Sequence, residues 1–97
     1  INYIPDNFKV HQNIPNPFNP KTQFPIEINS NADVTLRIYD ISGSLVHHHK
    51  INSMDAGVYY LDSPFRWDAS GFSSGIYFYS FELSTGQIYY NKLMLIK

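Results

Sequence analysis

Residues 76–83 read Ile-Tyr-Phe-Tyr-Ser-Phe-Glu-Leu. Aromatic and β-branched residues dominate, and neither Gly nor Pro interrupts them, which is the composition of a strand. Successive side chains of a strand point to opposite faces. Ser80 and Glu82 mark one face as outward, so Tyr77, Tyr79, Phe81 and Leu83 make the apolar one. Ser84-Thr85-Gly86 then supplies a turn, and residues 87–96 return beside the first run. The pair predicts an antiparallel hairpin with one buried face.

The same alternation recurs upstream. In residues 34–39 (VTLRIY), Val34, Leu36 and Ile38 point inward and Thr35 and Arg37 outward. In residues 22–28 (TQFPIEI), Phe24, Ile26 and Ile28 oppose Gln23, Pro25 and Glu27. Pro25 cannot donate to a ladder, so that strand belongs at an edge or carries a bulge. Residues 45–51 (LVHHHKI) read as a further strand, and residues 9–13 as a short first one. Residues 58–67 read as two short strand pieces or one bulged strand, because Ser63-Pro64 interrupts them. Polar and Gly-containing stretches at 29–33, 40–43, 52–57 and 68–75 read as turns and loops. No segment sustains a helical apolar period. The pattern predicts an all-β, Ig-like antiparallel β-sandwich of about seven strands. Residues 1–13 read as a linker or lead-in, and residues 14–97 as the domain. Within it, Ile-Pro-Asn-Pro-Phe-Asn-Pro (14–20) is barred from helix by its prolines. It reads as a rigid, extended crossing segment anchored in the core by Phe18.

Composition excludes several function classes. A chain of 97 residues supports one core. Formal net charge is -1 and no Lys/Arg stripe is present, so a phosphate backbone finds nothing to bind. Without cysteine there are no disulfides, thiolate zinc sites or cysteine nucleophiles. No apolar run approaches the ~20 residues of a membrane span. The chain opens on Ile1 with no leader pattern, as expected of an excised fragment.

Candidate reaction centres resolve into ordinary strand and turn chemistry. Of His47, His48 and His49, only the outer two share a face, and no third metal ligand is evident. They read as polar residues on an exposed strand. Asp40, Asp55, Asp62 and Asp68 fall at turns, where their carboxylates bond nearby N–H groups. Ser73-Ser74-Gly75 lacks a partner base, and Glu27 and Glu82 sit on outer faces. No catalytic residue, metal ligand or cofactor is expected. Two rivals remain: a purely structural spacer with an Ig fold, and Tyr59, Tyr60, Trp67, Tyr89 and Tyr90 as a sugar-stacking platform of a carbohydrate-binding or adhesive accessory module. The plainer reading buries alternate members and places Trp67 inside the sandwich.

Three stretches together carry a family resemblance: residues 14–24 (IPNPFNPKTQF), 34–46 (VTLRIYDISGSLV) and 73–97 (SSGIYFYSFELSTGQIYYNKLMLIK). Over roughly residues 5–97 the chain resembles the Por secretion system C-terminal sorting domain, the type A sorting domain of type IX secretion. It is also similar to the Ig-like domain of the flagellar hook-cap protein. The motif residues are Pro15, Asn16, Pro17, Phe18, Asn19 and Pro20, then Tyr39, Asp40 and Gly43, then Gly75 and Tyr77. One departure stands out. The family runs from a Gly to a Trp-Asp pair in about six residues, whereas Gly57 to Trp67 spans ten, as an insertion near Leu61–Pro64 would produce.

The resemblance implies a non-catalytic signal at the end of a larger cargo. The signal is read by outer-membrane secretion machinery and removed by a sortase-like peptidase. The cargo, having crossed the periplasm, is then surface-anchored or released. The family places the signal in the closing strand, here Lys92, Leu93, Met94, Leu95, Ile96 and Lys97. An edge strand offers backbone groups to a receptor, and the bracketing lysines discourage indiscriminate pairing. Deletion of Leu95–Lys97 is then expected to leave cargo inside the cell. The cut is expected within residues 1–13.

Overall fold

The computed structural model describes residues 5–97, which hold nine strands and no helix. They are β1 (Lys9–Val10), β2 (Lys21–Gln23), β3 (Ile26–Ile28), β4 (Ala32–Tyr39), β5 (Leu45–Met54), β6 (Gly57–Tyr59), β7 (Arg66–Asp68), β8 (Gly75–Leu83) and β9 (Ile88–Leu95). Residues 1–4 of the expected lead-in lie outside the described residues.

One layer is a four-stranded antiparallel sheet in the order β5-β4-β8-β9. The other is built from β1-β3-β6 and β2-β7. Those two small sheets are continuous. Ile14 bridges Gln23, and the Phe24 N–H donates to the Phe65 carbonyl at 3.0 Å. The second layer is therefore three lines of chain, each broken once, and this is why nine strands stand where about seven were expected.

Each break has a local cause. Residues 22–28 were expected as one strand, but Pro25 has no N–H to give, and the ladder parts there. The Pro25 carbonyl still accepts from the His11 N–H at 3.0 Å. Between β6 and β7 the fully buried Ser63 hydroxyl donates to the Phe24 carbonyl and accepts from the Phe65 N–H. A side chain thus fills a ladder position that the backbone has left.

Aromatic rings meet between the layers. Phe24 lies 4.9 Å from Tyr79, Phe65 5.2 Å from Phe81, and Trp67 5.3 Å from Tyr77, all edge to face. Ile26, Ile28, Val34, Leu36, Ile38 and Phe81 are wholly buried. Each such aliphatic or aromatic side chain stabilises the fold by roughly 1.5–3 kcal/mol relative to exposure. Phe18 anchors in this core as expected, at 2% exposure.

Three expectations need correction. Residues 52–57 do not form a turn throughout: β5 runs to Met54, helped by a register shift opposite Ala32 and Val34 and by a positive φ of 55° at Ser53. Ser80 is on the outer face yet only 2% exposed, because it sits between the long side chains of its ladder partners Arg37 and Tyr90. His47 and His49 are half-buried rather than exposed. Their rings face the opposite layer, His49 at 5.3 Å from Phe65 and His47 at 6.3 Å from Trp67.

Candidate functional site

The proline-rich run crosses between the layers. Ile14 still pairs with Gln23, Phe18 forms a parallel bridge to Leu95 in the other sheet, and the chain returns as β2 at Lys21. Its three Xaa-Pro bonds are cis. The Phe18 N–H donates to the Met94 carbonyl, and the Phe18 carbonyl accepts from the Ile96 N–H, both at 3.0 Å. Asn16 Oδ1 accepts the Met94 N–H at 3.2 Å. Proline supplies no donors of its own, so the run borrows them. The Pro15 carbonyl accepts from Asn13 Nδ2 at 3.1 Å and from the Thr22 hydroxyl at 3.0 Å. Asn13 and Thr22 are nearly fully buried and bond each other at 3.1 Å. Neither was singled out from the sequence. The available signal was the need for buried donors beside a run that has lost its own.

The six closing positions divide in two. Leu93 and Leu95 are 2% and 1% exposed and belong to the core. Lys92, Met94, Ile96 and Lys97 face solvent. β9 ends at Leu95, so Ile96 and Lys97 lie past it. The Lys97 N–H donates to Ser74 Oγ at 2.9 Å and its ammonium to the Ser70 carbonyl at 2.6 Å. β9 is an edge strand, but the outward backbone groups of Met94 are already engaged by the proline run.

The other motif residues gather at the same end of the sandwich. Gly75, at φ 149°, opens β8 opposite Leu95. The buried Tyr77 donates its hydroxyl to the Ser73 carbonyl at 2.6 Å and so pins the loop before β8. Tyr39 closes β4 opposite Phe78, and Asp40 organises the turn that follows. Asp40 Oδ1 accepts from the Ser42 hydroxyl and from the N–H groups of Ser42 and Ser44. The Ser42 hydroxyl first, then the Ser44 N–H, hold that carboxyl below the usual range. Gly43 turns the chain at φ 87°, a region that a side chain disfavours. The turn at Asp40–Ser42 and the loop at Gly71–Gly75 line one open depression.

Among the described residues, no three metal-ligating side chains come together. A sugar platform does not form either. Trp67 is 3% exposed, enclosed by Phe18, Phe72 and Tyr77. Tyr59 and Tyr89 are half-buried, and the exposed Tyr60 and Tyr90 belong to different layers. No described helix is long and apolar enough to cross a membrane.

Residues 13–97 match the family model described as a secretion system C-terminal sorting domain. The chain belongs to that family. The match begins at the buried Asn13 and takes in the whole proline run and β9. The sorting domain is a type IX secretion signal, which indicates export across the outer membrane to the cell surface or medium. Such a signal implies recognition by the secretion machinery and linkage to an upstream cargo. The family is one of signals, not of catalysts. The chain is also similar to CopC from Methylosinus trichosporium OB3b, at 17% identity and a TM-score of 0.50. That likeness covers 92% of the sorting domain and 91% of CopC, and concerns the fold alone. No curated protein matches the sequence.

Proposed function

We propose that the secretion machinery reads the solvent side of the closing strand: Lys92, Met94, Ile96 and Lys97, presented in fixed register by the proline run. The observation that carries this is the double hydrogen bond of Phe18 to Met94 and Ile96. It holds residues 94–96 in one extended geometry against the proline run. Leu93 and Leu95 set the register from inside, and the lysines give the strand a charge-bracketed outline. Pro15–Pro20 act as the clasp, with Tyr39, Asp40, Gly43, Gly75 and Tyr77 shaping the loops around it.

A sortase-like peptidase is the proposed second partner, cutting before Lys9. Residues 9–14 are bonded into the second layer through β1, His11 and Ile14, so their backbone is not free to enter a protease cleft. Asp6 and Asn7 are exposed just upstream. On this reading the cut falls within the lead-in of residues 1–13, upstream of Phe8, which packs against the core.

The test uses a cargo-linked chain in a host that has the secretion machine. Deleting Leu95–Lys97 also removes a core residue, so surface substitutions are the cleaner probe. Met94→Glu, or Lys92→Glu with Lys97→Glu, should keep the fold by circular dichroism while cargo accumulates in the periplasm. Unchanged surface delivery of these folded variants would refute the reading.

A further inference from the structure

β9 does not present one uniform edge. Phe18 fixes the direction of the Met94 backbone groups, which point away from β8. Alternate residues of a strand share that direction, so Lys92, Tyr90 and Ile88 also turn their N–H and C=O outward. Lys92 is engaged: its N–H donates to Asn91 Oδ1 at 2.8 Å and its carbonyl accepts from Gln12 at 3.3 Å. For the outward groups of Ile88 and Tyr90 there is no partner among the described residues.

This open stretch lacks the usual defences of an edge, which are charge, proline and bulges. No charged residue occurs from Leu83 to Asn91, and the β8–β9 register is unbroken. The opposite edge, β5, has two register shifts and carries Lys50. Ile88 and Tyr90 are 49% and 69% exposed, and Phe78 on the neighbouring strand is 43% exposed. The sandwich thus protects one edge and leaves half of the other smooth, uncharged and apolar.

We infer that Ile88–Tyr90 is a strand-docking edge, to which an extended, uncharged, alternately apolar segment of the export apparatus adds as a fifth strand of the β5-β4-β8-β9 sheet. Main-chain bonds to Ile88 and Tyr90 supply the attachment, and apolar side chains opposite Ile88 and Tyr90 supply the fit. A charged segment would meet no counter-charge along 83–91. The inference rests on the reading that the apparatus engages β9, but assigns a different half of it.

The experiment follows export of the cargo-linked chain. Tyr90→Pro removes an outward N–H that the fold does not use, a place where an edge strand tolerates proline. Tyr90→Lys and Ile88→Lys keep the ladder and charge the edge. All three should lower surface delivery at least ten-fold, while Tyr90→Ala, which keeps the backbone, changes it less than three-fold. Normal export of the two lysine variants overturns the inference even if the proline variant fails to fold. If Met94→Glu exports normally while Tyr90→Lys does not, the terminal reading falls and the docking edge stands. The reverse result sinks the docking edge alone. Sedimentation of the chain supplies the remaining arm. A concentration-dependent dimer abolished by Tyr90→Lys would assign the edge to a second copy and overturn the proposed occupant.

Discussion

Phe18 and Leu95, from opposite ends of the chain, lie side by side in a parallel bridge. Phe18 spends its backbone on β9 and its ring on the core, 5.7 Å from Trp67. Phe18→Ala should therefore cost about 3–5 kcal/mol, the range for emptying a buried aromatic site. That is a large share of the roughly 5–15 kcal/mol of a typical domain. Phe18→Leu keeps much of the apolar volume and should cost clearly less. Urea unfolding curves of the two variants check the ordering.

Thr22→Val is nearly isosteric but deletes the hydroxyl that serves Asn13 and the Pro15 carbonyl. Leaving buried polar atoms short of a partner costs roughly 1–3 kcal/mol. Thr22→Ser retains the hydroxyl and should recover most of that loss. Comparable stability of the Val and wild-type proteins by chemical denaturation would mean the network carries no weight.

Tyr79 is wholly buried, and among the described residues its hydroxyl makes no hydrogen bond of regular geometry, with the Asn91 side chain its polar neighbour. Burial pushes its ionisation well above the usual phenol range. Tyr79→Phe removes an unpaid polar burial without changing the ring, so it should be neutral or stabilise by about 1 kcal/mol. A thermal shift measurement on the pair decides the sign.

Burial holds the His47 pKa below its ordinary 6.5, with repulsion from His49 and His48 adding to the effect. Below about pH 6.5 the unfolded chain takes up this proton while the folded chain resists it, so stability falls as pH drops. The contribution is intact above 6.5 and is lost as pH descends through the depressed folded value. His47→Leu should flatten part of the decline between pH 7 and 5. Denaturant midpoints across that range, in parent and variant, measure the His47 share.

The sequence disclosed the inward faces because alternation is a local property. Phe24, Ile26, Ile28, Val34, Leu36, Ile38, Tyr77, Tyr79, Phe81 and Leu83 are all buried as their parity implies. Phe18 was legible too, as the one aromatic residue inside a run unfit for helix or ladder. What could not be seen was long-range. Ser80 is hidden by residues of two other strands, and the rings of His47 and His49 turn to Trp67 and Phe65. The proline run and the last strand were recognised as separate motifs, but their pairing depends on sheet order, which no local pattern encodes. Asn13 and Thr22 escaped for the same reason: their importance is visible only once the Pro15 carbonyl lies between them.

The bridge between Phe18 and Leu95 also has a temporal consequence. During synthesis the proline run waits, unmated, until β9 has emerged from the ribosome. A chain interrupted short of Ile96 carries a seam that cannot close. Closure of the sandwich therefore reports that translation has passed β9, before any transporter inspects the result.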